Sequence, residues 1–275
     1  MLSSVAILYC LLFSESSLDT VVVPPAAKVV PKVDTAFGDI RIDNYFWLRN
    51  SDDPEVIKYL EAENNYAGIV MKPTELLQER LFREMKGRIK ETDLTVPEKL
   101  DSFYYYTRTE EGKQYPLVCR KKRSLKAHEQ VLLDQNKLAT GYDYFEIGTY
   151  RISPDHSLLA YAVDTTGSEV YTIFIKDLVA DSLLHDRILL TDYHVEWAND
   201  NKTLFYARLD STERPFTLLR HSLGHTIDDD ELLYTEEDQA FFLDISKTRS
   251  KEYILVSLES KTTTEVRYLN ANSRG

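Results

Sequence analysis

An all-β chain of stacked propeller blades, preceded by a short α-helical segment, is the fold that three observations predict. The sequence holds 18 Tyr and only 9 Gly, and aromatic side chains suit the pleated, half-buried surface of strands. The stretches YRISPDHSLLAYAVDTTGSEVYTIFIKDL (150–178) and HVEWANDNKTLFYARLDSTERPFTLLRHSL (194–223) share one pattern of short strands and polar turns. Helical spacing of apolar residues is confined to roughly residues 54–90, and from about Leu100 the periodicity becomes β-like.

In chain order, residues 1–23 read as a leader of uncertain nature. Val5 to Phe13 is apolar, but no positive residue precedes it and SESSLD is a poor cleavage site, so a secretory signal is the less favoured reading. Residues 24–95 read as the helical segment. After the Pro-rich connector, Asp52 or Asp53 can cap a helix whose first turn accepts Pro54, and Val56, Ile57, Leu60 and Ala67 recur at helical spacing. Pro73-Thr74 opens a second helix, in which Leu77, Leu81, Met85 and Ile89 form an apolar stripe expected to pack. Residues 96–275 read as an incomplete propeller. SFYYYTRTEEGKQYPLVCRKK (102–122) reads as two strands turning at Glu110-Glu111-Gly112-Lys113, and the hairpin 103–120 within it reads as a degenerate first copy of the repeat.

The two central copies align without gaps at an offset of 45: Ile152 with Trp197, Asp155 with Asp200, Tyr161 with Tyr206, Thr172 with Thr217, Leu178 with Leu223. A further copy begins at Asp244, with Ile245 placed 48 after Trp197. A period of about 45 to 50 residues built from short strands is that of a propeller blade. Such a blade has two apolar faces and needs a neighbour on each.

Composition excludes some functions. The net charge of −12 argues against nucleic acid, whose phosphates need a basic face. No run approaches the roughly 18 apolar residues of a membrane helix, so no membrane partner is expected. Two cysteines, Cys10 and Cys119, make no disulfide framework. A cytoplasmic or organellar location is therefore expected ahead of secretion.

The stretches GDIRIDNYFWLRNSDDPEVIKYLEAENNYA (38–67), LFREMKGRIKETD (81–93), DYFEIGTYRISPDHSLLAYAVDTTGSEVYTI (143–173), WANDNKTLFYARLD (197–210) and TRSKEYILVSLESKTTTEVRYL (248–269) resemble the prolyl oligopeptidase family of serine peptidases, and within it the oligopeptidase B branch. The resemblance runs from about Pro24 to the end of the chain. It implies a seven-bladed propeller, of which about four blades are present here, capping an α/β-hydrolase catalytic domain that is absent. It further implies cleavage of short peptides after Lys or Arg, with the propeller gating access, and two partners: the family's own hydrolase domain and short basic peptides. Asp143 is the one position the resemblance offers for an interdomain contact. A non-catalytic propeller fragment or pseudoenzyme acting as an interaction surface is the alternative.

No catalytic, cofactor-binding or metal-binding residue is assigned, and no cofactor is expected. A nucleophile elbow requires G-x-S-x-G, and none of the nine glycines begins one. His221 and His225 in HSLGH are four apart, but Gly224 and the strand context remove the helical geometry of a metal site. IDDDELL (227–233) lacks the spacing of a calcium loop and reads as a solvated turn. CRKKRSLK (119–126) reads as a solvated turn between strands. Trp47 and Trp197 read as packing anchors.

Overall fold

The structure is a computed structural model that describes residues 22–272; the leader reading therefore lies, up to residue 21, outside the described residues. The chain forms two compact units, one ending at Lys90 and the other beginning at Glu91.

In the first unit, β1 (Lys32–Ala36) and β2 (Asp39–Asp43) form an antiparallel hairpin, Ala36 facing Asp39 across Phe37-Gly38. Gly38 has φ 88°, the left-handed backbone that a tight turn demands. Helical periodicity did not announce this hairpin. Helix α1 (Pro54–Met71) starts as expected: the Asp53 carboxylate accepts the Glu55 N–H at 2.9 Å and Pro54 occupies the first turn. A 3-10 turn containing Pro73 leads into α2 (Glu75–Gly87). Trp47 is an anchor, donating its indole N–H to the Lys28 carbonyl at 3.0 Å and meeting Tyr59 edge-on. The stripe Leu77, Leu81, Met85 and Ile89, expected to pack, stands exposed.

The second unit contains four blades of a partial β-propeller. Blade one is β3 (Glu98–Leu100), β4 (Phe103–Arg108), β5 (Leu117–Lys122) and β6 (Glu129–Asp134), each antiparallel to the next. The β4–β5 hairpin turns at Gly112, φ 73°, as the sequence indicated. A single helical turn, α3 (Gln135–Leu138), capped by Asp134, leads to the next blade. There follow β7 (Glu146–Ile152), β8 (Leu158–Asp164), β9 (Tyr171–Asp177), β10 (Ser182–Trp197), β11 (Thr203–Leu209), β12 (Pro215–Ser222) and β13 (Glu231–Thr235). Blade four is β14 (Phe242–Lys247), β15 (Tyr253–Glu259) and β16 (Thr264–Asn270).

Strands β7 to β13 are hydrogen-bonded in unbroken order, yet they are two blades. Residues Ser182–Thr191 of β10 pair with β9, and residues Thr191–Trp197 pair with β11. The register breaks around Thr191, and Leu190 takes φ 56°. One 16-residue strand is thus the outer edge of blade two and then the inner strand of blade three. Burial proves the fold between them: Ala160, Ala162, Ile173 and Ile175 of blade two share one core with Trp197, Leu204 and Tyr206 of blade three. Members of a single flat sheet could not meet face to face in this way.

Period-two alternation carries the packing from blade to blade. On β8, Ala160 and Ala162 face blade three, while Leu159, Tyr161 and Val163 join Val118, Leu132 and Leu133 of blade one. On β11, Leu204 and Tyr206 face blade two, while Phe205 and Ala207 join Leu243, Ile245, Ile254 and Val256 of blade four. Each strand sends alternate side chains to opposite neighbours, which is why isolated blades cannot be stable.

The repeat extends to single hydrogen bonds. The N–H of Leu178 donates to Ser157, that of Leu223 to Lys202 and that of Ala271 to Glu252, each at 2.8 Å. Ser153, Ala198 and Thr248 bind the carbonyls of Leu158, Thr203 and Tyr253 in the same sense, all at 2.9 Å. These bonds confirm the 45-residue offset between the central copies and set the next one to 50 at the turn, from Ala198 to Thr248 and from Lys202 to Glu252, falling to 48 from Leu223 to Ala271. Lys247, not Ile245, occupies the position of Trp197, because the two apolar residues look alike in sequence while the turn sets the true register.

Candidate functional site on the inner strands

The strands lining the inside of the arc, β7, the second half of β10, and β14, carry charged side chains in a buried or half-buried network. On β10 the run Asp192, His194, Glu196 alternates with apolar residues, so all three point to one side. His194 lies between two carboxylates, Asp192 on its own strand and Asp244 Oδ1 on β14 at 2.9 Å from Nε2. Burial alone would lower the imidazole pKa, but the hydrogen bonds and charges of Asp192 and Asp244 outweigh it and push His194 up to about 9. The same bond to His194 holds the Asp244 carboxyl below the ordinary carboxylate range. The histidine is therefore a cation near neutral pH and ties blade three to blade four.

The next contact along the arc is Arg151 on β7, whose Nε donates to Glu196 Oε1 at 2.7 Å and so ties blade two to blade three. Burial raises the Glu196 carboxyl, opposed by the Arg151 charge. Lys247 is lowered by burial, its ammonium donating to the Trp197 carbonyl at 2.7 Å and to Asn199 Oδ1 at 2.6 Å. Trp197 in turn donates its indole N–H to the Arg151 carbonyl at 2.9 Å, which confirms it as an anchor.

At one end of these strands a concavity of about 710 Å³ opens between the loops. Glu169, Glu213 and Glu259 come from loops or strand ends of three blades, and Tyr193, His194 and Phe242 complete the wall. An acidic rim beside aromatic surface suits a cationic group. Gly148 on β7 lies against this region: a Cβ there would fall 2.6 Å from both Tyr171 Cε1 and Tyr193 Cβ, so only glycine lets the strands approach.

Other readings are refined. Asp143, the expected interdomain position, is exposed on the stretch before β7. IDDDELL is not wholly a solvated turn: the Asp230 carboxylate is 1% exposed and accepts from Tyr206 at 2.8 Å and contacts His221 Nδ1 at 2.6 Å. His221 Nε2 meets Asp186 at 3.2 Å, so both ring nitrogens are engaged by carboxylates within the fold. CRKKRSLK is a turn only from Arg123 onward, because Cys119 and Arg120 are buried on β5. Sequence reasoning missed the inner-strand network. The available signal was the i, i+2, i+4 spacing of Asp192, His194 and Glu196, but their partners, Arg151 and Asp244, lie on other blades. No helix among the described residues is long and apolar enough to cross a membrane.

Residues 24–275 match the family described as prolyl oligopeptidase, N-terminal beta-propeller domain. The chain is 38% identical over 256 residues to Protease 2 of Moraxella lacunata, a match covering 90% of this chain and 37% of that protein. It is equally 38% identical over 274 residues to dipeptidyl aminopeptidase BI of Pseudoxanthomonas mexicana, covering 92% and 37% respectively. Among solved structures, oligopeptidase B from Leishmania major superposes with a TM-score of 0.86 at 28% identity, over 92% of this chain and 38% of that one. Oligopeptidase B from Trypanosoma brucei, in a closed form with covalently bound antipain, gives 0.82 at 29% identity, over 90% and 37%. The chain thus spans little more than a third of the length of these relatives, and it belongs to the prolyl oligopeptidase N-terminal β-propeller family.

Proposed function

We propose that this chain is the N-terminal propeller part of a serine oligopeptidase that cleaves short peptides after Lys or Arg, with the propeller gating access to the active site. The likeness to two solved oligopeptidase B structures over nine tenths of the chain is the observation that carries the reading. The acidic concavity of Glu169, Glu213 and Glu259 supports a cationic substrate, as does the net charge of −12. Its partner is an α/β-hydrolase domain holding the Ser, His and Asp of acyl transfer. The exposed stripe of α2 and the exposed face of β14–β16, with Phe242, Val266 and Tyr268, are surfaces for the rest of such a protein. By itself the chain is inactive, since it has no G-x-S-x-G element. A cytoplasmic or organellar location belongs to the same reading.

The gating and specificity claims are tested on the full-length product of the reading frame. Short amides ending in Arg or Lys should be hydrolysed in a serine-inhibitor-sensitive manner, and unfolded polypeptides of growing length progressively less well. Equal cleavage of folded proteins and short peptides would refute gating. Equal turnover after acidic residues would refute the specificity. The name of the Pseudoxanthomonas relative favours a second reading, removal of dipeptides from a free N-terminus. Blocking the substrate's N-terminus separates the two, abolishing only the second activity.

A further inference from the structure

In every blade the turn between the first and second strands carries one non-glycine residue in left-handed backbone: Asp101 (φ 52°), His156 (φ 64°), Asn201 (φ 59°) and Lys251 (φ 63°). Each lies two residues before the second strand of its blade, β4, β8, β11 or β15. Asp, Asn and His are enriched in this conformation, whereas Lys has no such preference, and all four are tied to neighbouring blades through side chain or backbone.

What they touch is one another's blades. His156 Nε2 meets Asp101 Oδ2 at 3.1 Å, joining blades two and one. The Asp155 N–H donates to Asn201 Oδ1 at 2.8 Å, joining blades two and three. Asn199 Nδ2 donates to the Lys251 carbonyl at 2.7 Å, joining blades three and four. The Lys251 ammonium then donates to Asp101 Oδ2 at 3.0 Å, joining blade four back to blade one. In blades splayed about an axis only the innermost points can reach a non-neighbouring blade, so this last contact places the turn tips at the axis.

The contacts differ in permanence. His156 is fixed on all sides: Nδ1 to Tyr105 Oη at 2.8 Å, its carbonyl accepting from Arg120 Nη1 at 2.7 Å, its ring against Phe103. This holds Asp101 at the rim from one side. Asp101 and Lys251 are themselves about half exposed, and an ion pair in that setting is weak, salt-screened and readily opened. Three joints of the ring are hydrogen bonds between adjacent blades, and the one that spans non-adjacent blades is the openable one.

We propose that Asp101 and Lys251 form a reversible ionic latch that closes the turn end of the propeller axis, opening to widen the aperture there. Its consequence for substrate passage rests on the gating reading above, but the latch is measurable without it. In the 275-residue chain with Cys10→Ser, Lys99→Cys and Glu252→Cys, spin labels flank the latch, and buried Cys119 is left unlabelled. At low salt the inter-label distance should be short and narrowly distributed. It should lengthen and broaden in about 1 M salt and with Lys251→Met, and return with Lys251→Arg. A distribution unchanged by Lys251→Met and by salt, or one already broad in the parent at low salt, would overturn the latch. In the full-length product, Lys251→Met should raise turnover of long peptides about threefold relative to dipeptide amides. Opening seen by the labels without that change in turnover would sustain the latch and refute gating.

Discussion

Replacing Asp244 by Asn should make the stability of this chain lose part of its dependence on pH. Folded His194 holds its proton up to about pH 9, against 6.5 for the free side chain. At about 1.36 kcal/mol per pH unit this difference amounts to about 3 kcal/mol of stability. Because the folded state binds the proton more tightly, the contribution is complete below pH 6.5 and is lost as pH rises through 9. His194 is largely buried, so its share survives screening, whereas Asp244 is about half exposed and supplies only part of it. In Asp244→Asn the carboxylate of Asp192 remains, and the histidine should still titrate above its free value but lower than in the parent. Denaturant unfolding between pH 6 and 9.5 should therefore show the variant less stable by about 1 kcal/mol at pH 6, with the gap closing by pH 9.5. Asp244 stays ionised throughout this range, and other titrating groups are common to both proteins and cancel in the difference. A gap of constant size across the range would refute the assignment of His194 as a cation bound between blades three and four.

Gly148→Ala should cost about 1–3 kcal/mol in denaturant unfolding, because the added methyl must displace buried Tyr171 and the neighbouring Tyr193 from a close strand contact; an unchanged midpoint would contradict the close approach. Asp230→Ala should cost about 3 kcal/mol, leaving Tyr206 Oη and His221 Nδ1 without their buried carboxylate partner while Nε2 keeps Asp186, and Asp229→Ala on the exposed neighbouring turn should be near neutral. Cys119 should resist thiol reagents in the native protein, since burial pushes its thiol up to about 11 and removes access. It should react fully once the chain is unfolded.

The architecture was legible wherever local chemistry repeats. Asp155 and Asp200, 45 apart, both accept backbone N–H groups of their own turns, and such self-contained turns announce themselves in sequence. The helices were legible through Asp53, Pro54 and Pro73, which act on their own segment. The β1–β2 hairpin was not, because its strands are short and Val33, Ile40 and Ile42 stay exposed, leaving no pronounced buried face to read. The dual role of β10 was hidden for a different reason: the break at Thr191 is a change of partner, not of local propensity. The inner-strand network is likewise non-local. Arg151 and Glu196 are 45 residues apart and His194 and Asp244 are 50 apart, so each pair is created by the stacking of blades.

The most direct test of the account is hydrolysis of an Arg-containing peptide amide by the purified 275-residue chain beside the product of the reading frame extended downstream. The account predicts no turnover by the propeller portion and turnover abolished by a serine-directed inhibitor in the extended product. Inhibitor-sensitive turnover by the 275-residue chain alone, or an extended product without any, would contradict it.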